Sequence, residues 1–103
     1  MSSPLQNLTI KEFREQLNSD FKVVLDGART VVLQLFDAVE GKTSPKAELF
    51  SLYFRGPFTP LLRQQIHRME HDKLGAVEIF ITPIEASPEN GTVYESVFHR
   101  FRK

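Results

Sequence analysis

A chain of 103 residues is long enough for one domain around one core, and 41% of it is hydrophobic, nine Phe included. Thirteen Lys and Arg balance thirteen Asp and Glu, which argues against binding nucleic acid or an anionic membrane through overall charge. The lack of cysteine excludes disulfides and thiolate metal sites. No apolar run approaches ~20 residues, so no membrane-spanning helix is expected. Met1-Ser2-Ser3-Pro4 lacks a basic region followed by an apolar run, so no signal peptide is expected either. The expected location is the cytoplasm, or a particle assembled in it.

Residues 1–7 read as a flexible lead-in to a single β-rich domain spanning 1–103. Leu8-Thr9-Ile10-Lys11-Glu12-Phe13 reads as a helix start. Thr9 is the N-cap, Glu12 closes a capping box with it, and Leu8 and Phe13 are placed for a hydrophobic staple. Ile10, Phe13 and Leu17 form one apolar stripe, and Asn18-Ser19-Asp20 ends a helix of about three turns. So short a helix must dock its stripe on a sheet.

Strand periodicity follows. Phe21, Val23 and Leu25 share a parity, and Asp26-Gly27 signals a tight hairpin. Arg29 to Val39 is the return strand, apolar on both parities, which predicts that both of its faces are covered. Glu40 to Lys46 is a polar loop. Phe50-Ser51-Leu52-Tyr53-Phe54-Arg55 alternates most clearly of all, large apolar groups on one parity and polar-tipped groups on the other. Gly56-Pro57-Phe58-Thr59-Pro60 breaks that strand, because neither proline can donate to a ladder. Leu61 to His71 admits a helix, but the alternation of His67 and Met69 against Ile66 and Arg68 favours a strand from about Gln65. Asp72 to Gly75 turns the chain into Ala76–Ile84, with Val77, Ile79 and Ile81 on one face and Phe80 on the other. Ser87 to Gly91 is a hairpin loop, and Val93 to Phe101 is the last strand.

The fold expected is mainly β, a small antiparallel barrel or two-layer sandwich of about six strands with one short N-terminal helix. Short loops predict a meander, each strand pairing with the next.

Several of these segments together carry a resemblance. Leu8 to Phe13, Phe50 to Pro57, His71-Asp72-Lys73-Leu74-Gly75, Ile79 to Ile84 and Tyr94-Glu95-Ser96-Val97-Phe98 resemble, in this order, a family of short uncharacterised bacterial proteins, a domain of unknown function. Its members are often encoded beside phage-tail-like collar proteins, and the resemblance implies a role in a tail-like particle. It supplies no catalytic residues. The chain departs from the family pattern near Arg63-Gln64-Gln65-Ile66-His67, where a glycine, a small residue and then Tyr are expected.

The chemistry-bearing residues form no catalytic pattern, and neither an enzyme nor a cofactor is expected. His67 and His71 are four apart, a metal-binding spacing on a helix but about 13 Å apart on a strand, too far to share an ion. Structural roles are therefore expected for them, with a ring nitrogen of His71 binding a loop carbonyl to fix the following turn. Glu12 and Asp26 are explained by cap and turn, and Glu78 and Glu95 are expected to face basic groups across a ladder. Serines form no nucleophile elbow and glycines no phosphate loop. Arg55, Arg63, Arg68 and His99-Arg100-Phe101-Arg102-Lys103 would have to converge to bind a nucleic acid strand, against a net charge of zero.

Phe58, held between Pro57 and Pro60, stands out as an anchor for a protein partner if exposed; the competing expectation is that it folds back to close one end of the barrel. The primary expectation is thus a non-enzymatic interaction or structural module, by a protein partner or by self-association. The alternative is a barrel binding a small molecule, or a minor enzyme, with an aromatic-lined pocket. If Phe50, Phe54, Phe80 and Phe98 interlock, the interior has no room; if His67 or Tyr94 points into a remaining space, the ligand reading gains.

Overall fold

The computed structural model describes residues 8–42 and 44–101, with the Phe101 side chain outside the described set. The expected lead-in at 1–7 and the terminal Arg102-Lys103 lie outside it too. Among the described residues the chain builds α1 (Ile10–Arg14) and six strands: β1 (Asp20–Asp26), β2 (Arg29–Glu40), β3 (Ala47–Gly56), β4 (Gln65–His71), β5 (Gly75–Ser87) and β6 (Gly91–Phe101).

The helix begins where the capping chemistry puts it. The Thr9 hydroxyl accepts from the Glu12 amide at 3.3 Å and the Glu12 carboxylate accepts from the Thr9 amide at 3.3 Å. It is five residues long, not three turns. The amides of Gln16 and Leu17 bond three residues back, and the Asn18 amide donates 2.6 Å to the Leu35 carbonyl of β2. That strand captures the chain before the helix can extend, and Asn18 turns it with φ of 69°. Ile10 and Phe13 are buried as expected, Leu8 with them, and Leu17 packs at the margin.

All the strands pair antiparallel and the sheet closes into a ring in the order β1-β2-β3-β6-β5-β4. The unbroken meander is therefore corrected. There are two meanders, β1-β2-β3 and β4-β5-β6, joined at both flanks by β1–β4 and β3–β6. β3 and β4 are successive in sequence but not neighbours, because the proline-bearing link after Gly56 cannot turn tightly and carries the chain across. Each long middle strand serves two neighbours in turn. β2 pairs first with β1 and then with β3, and β5 first with β4 and then with β6. In both, an irregularity sits where the second pairing is under way, Leu35/Asp37 in β2 and Pro83/Glu85 in β5. Such bulges bend a strand and increase its twist, which is what one strand needs to serve two neighbours. The β1–β2 turn is Gly27-Ala28 rather than Asp26-Gly27, with φ > 0 at its first position alone.

The inward parities fill the ring. Phe21, Val23, Leu33, Leu35, Phe50, Leu52, Phe54, Met69, Ile79, Ile81 and Tyr94 are essentially inaccessible. Phe13 brings the helix onto the rings of Phe50 and Phe98, at 6.1 and 5.7 Å between centroids, and Phe21 meets Phe54 edge-on at 5.3 Å. One expectation about the outer face is overturned. β2 is not covered on both sides, since Val32 and Val39 are exposed and Phe36 is half-buried. Phe80 does not interlock with Phe50, Phe54 and Phe98; it lies on the outward parity of β5 and is 46% exposed. One closed ring has one interior, so apolar residues on the second parity of a strand face outward.

Candidate functional site

The link from β3 to β4 is built by what its residues cannot do. Gly56 packs so closely that a Cβ there would come within 2.4 Å of Leu33 Cδ2, and one at Gly91 would meet the Gly56 carbonyl oxygen at 2.3 Å. Gly56 is the last residue of β3, and Pro57 and Pro60 have no amide to extend the ladder. Thr59-Pro60 is a cis peptide. The far end of the link is fastened from inside the ring. The Leu62 amide donates to the Tyr94 hydroxyl at 2.9 Å, Leu62 itself is buried, and His67 Nε2 donates to the Arg63 carbonyl at 2.8 Å.

Between the two anchored ends the link displays its apolar residues. Phe58 is 42% and Leu61 57% exposed, and Pro57 and Pro60 are exposed beside them. Phe58 therefore does not fold back fully to close the ring. Pro60 also lines an open depression of about 570 Å³ against the β1–β2 hairpin, with Leu25, Ala28, Arg29, Thr30 and Val31. The structure thus brings Pro60 together with the hairpin, while Pro57 and Phe58 stand on the link itself. Leu61 was missed in the sequence, although an apolar residue directly after Pro60 and outside any periodic stripe is the available signal.

The inward polar tips of His67 and Tyr94 are committed to the protein's own backbone. His67 and Tyr94 both point inward, as the ligand-binding expectation requires, but their polar tips hold Arg63 and Leu62. His67 and His71 lie on the extended β4. His71 fixes the following turn, but by accepting from amides rather than by binding a carbonyl: its Nδ1 takes the amides of Lys73 and Leu74 at 3.0 and 3.1 Å. Its Nε2 meets Ser19 Oγ at 2.7 Å, and its ring lies 4.4 Å from that of Phe21. Burial holds its pKa below the usual value.

The outer groups are spread over separate strands. Arg68 faces Glu78 in register, as expected, whereas Glu95 accepts from the Tyr53 hydroxyl at 2.9 Å and not from a basic group. That bond raises the Tyr53 pKa. Arg55 stacks over Phe36 at 4.7 Å. Arg100 is turned in, bonding the Leu8 carbonyl and Glu48 and lying over Phe50 and Phe98. Arg55 and Arg68 belong to strands that are not neighbours, so these two do not meet across a ladder.

A family model covers this architecture from the staple residue Leu8 to the core residue Phe98. The chain belongs to DUF6916, a domain of unknown function matched over residues 8–98. The family match thus includes the link, the fastening residues His67 and Tyr94, and part or all of every strand. No curated protein and no solved structure matches the chain.

Proposed function

We propose that this domain is a non-enzymatic interaction module that docks through the β3–β4 link, with Phe58 and Leu61 as anchors and Pro57 and Pro60 holding them in place. The observation that carries the reading is the contrast within the link: Leu62 is buried and bonded to Tyr94, while Phe58 and Leu61 beside it stand exposed. Exposed apolar side chains on an immobilised segment lose little entropy on binding and fit a partner's pocket. The family resemblance suggests the setting, a bacterial phage-tail-like particle assembled in the cytoplasm, in which such a module would join larger components.

The test compares the native chain with the double variant Phe58→Ser, Leu61→Ser. Light scattering over a range of concentration reads self-association. Quantitative co-purification from the source cells, with the native chain and the variant tagged identically, reads partners. The expected outcome is a defined partner or oligomer lost in the variant while its circular dichroism stays native. Identical behaviour of the two chains in both measurements would refute the reading. A small-molecule role has its own supporting feature in the depression at Pro60. It predicts that a bulky Thr30→Trp change abolishes ligand binding without altering association.

A further inference from the structure

The β5–β6 hairpin turns through Pro88-Glu89-Asn90 and closes on Gly91, which stands in register with Ser87. A side chain at Gly91 is opposed twice. Its φ of 82° lies in the left-handed region, and a Cβ there would meet the Gly56 carbonyl oxygen at 2.3 Å and the Phe58 nitrogen at 3.9 Å. The fold thus calls for a glycine directly after Asn90. That order matters chemically. The side-chain amide carbon of an asparagine and the next backbone nitrogen can close a five-membered ring, and a glycine puts no Cβ in the way. Asn90 is exposed, and its side-chain amide has no hydrogen-bond partner among the described residues. The Ser87 hydroxyl accepts from its backbone N–H at 3.0 Å. Two comparable positions among the described residues are less favourable. Asn18 is followed by Ser19, whose amide is committed to the Gln16 carbonyl at 3.1 Å. Asp26 is followed by Gly27, but its carboxylate, paired with Arg29 at 3.4 Å, is a poor electrophile.

We propose that Asn90–Gly91 is a site of spontaneous covalent modification, at which Asn90 converts to isoaspartate and frees the start of the β3–β4 link. The Gly91 nitrogen attacks Cγ of Asn90. The N–Cγ bond forms, the Cγ–Nδ2 bond breaks, and ammonia leaves with the proton that the Gly91 nitrogen gives up. Water, the one co-reactant, then opens the ring. Opening at Cγ gives aspartate. Opening at the original backbone carbonyl carbon gives isoaspartate, in which the main chain runs through Cβ and is one carbon longer. Either product adds a negative charge to a chain of zero formal net charge. Isoaspartate alone lengthens the backbone, and it does so directly before the glycine seated on Gly56. Gly91 has no spare room in that seat. A longer main chain therefore displaces it from the Gly56 carbonyl, and the end of β3 loosens where the link departs. The inference stands on the packing of Gly91 and not on what the link binds.

The native chain, Asn90→Gln and Asn90→Asp test the proposal, with peptide mapping that resolves isoaspartate from aspartate. In mildly alkaline buffer the folded native chain should accumulate an acidic form, at a rate proportional to hydroxide, modified at Asn90 and not at Asn18. Asn90→Gln, whose longer side chain closes a less favourable ring, should slow its appearance at least about tenfold. Trypsin reads the consequence at the Arg55–Gly56 bond, because cleavage tracks the population of the locally opened strand. The purified isoaspartate form should be cut after Arg55 at least about tenfold faster than the native chain, with cleavage after Arg29 unchanged. Asn90→Asp carries the same charge on an ordinary backbone and should be cut at the native rate. An Asn90 that reacts only when the chain is unfolded in urea overturns the proposal, since the fold then does not present the site. So does an isoaspartate form cut after Arg55 at the native rate, or an Asn90→Asp chain that opens as far as the isoaspartate form.

Discussion

His71 joins three parts of the molecule through one ring. Its Nδ1 accepts two amides from the β4–β5 turn, which requires a neutral imidazole carrying its proton on Nε2. That proton goes to Ser19 Oγ, whose own hydrogen goes to the Gln16 carbonyl at 2.5 Å. A proton added at Nδ1 would face two N–H groups. Burial opposes the charged form, Asp72 favours it and Lys73 opposes it, and together they place the pKa below the usual 6.5. The sign of the pH effect follows. The unfolded chain takes up this proton near pH 6.5, and the folded chain does so only at lower pH. The His71 contribution to stability is thus fully present above about pH 6.5 and is lost as pH falls from there to the folded pKa, by at most about 1.4 kcal/mol per pH unit. Urea unfolding of the native chain and of His71→Asn across this range should show a smaller acid loss in the variant. Parallel curves would show that the ring does not titrate in this way.

At the scale of elements, α1 illustrates what local sequence specifies and what it does not. The capping box, the staple residues and the buried stripe of Ile10 and Phe13 were legible because they depend on neighbours three and four positions apart. The length of the helix was not, because the bond that ends it comes from Leu35, on β2. The same division holds for the strands. Alternation located all six and identified the inward sides of β3 and β4, but it did not show that Phe80 faces outward, since an apolar residue on the second parity reads the same whether covered or bare. It could not show that β3 and β4 are apart, because pairing depends on registry between distant segments. For the candidate site, the prolines marked the link in the sequence, whereas its fastening by Tyr94 and His67 appears only when the ring is closed. The helix should be a stabilising element that can be weakened in graded steps. Thr9→Ala removes the cap and should cost about 1 kcal/mol. Phe13→Ala leaves a cavity between Phe50 and Phe98 and should cost about 3–5 kcal/mol. Denaturant midpoints at constant slope would measure both; a Phe13→Ala cost below that of Thr9→Ala would mean that the helix does not seal the core.

On the scale of the whole molecule, two three-stranded meanders of like construction face each other and share one interior. One seam is long, with β3 and β6 in register from Ala47–Phe101 to Gly56–Thr92. The other is narrow, with β1 and β4 in register at Lys22–Glu70 and Val23–Met69. The chain passes between the meanders through the β3–β4 link, so the fastening of that link bears on both the closure of the ring and the display of Phe58 and Leu61. Tyr94 is the decisive residue. Its ring is fully buried in the core while its hydroxyl holds the Leu62 amide. Tyr94→Phe keeps the ring and deletes the acceptor, leaving a buried amide unpaired at a cost of about 1–3 kcal/mol. The loss should be concentrated in the link rather than spread over the sheet, because the core contacts of the ring remain. Arg63, exposed one residue beyond Leu62, provides the readout. Trypsin should cut after Arg63 faster in Tyr94→Phe than in the native chain, with cleavage after the hairpin residue Arg29 unchanged, and association through Phe58 and Leu61 should weaken in step. If cleavage at Arg63 stays at its native rate, or if both sites open together, the link is not held by Tyr94 and its rigidity has another source.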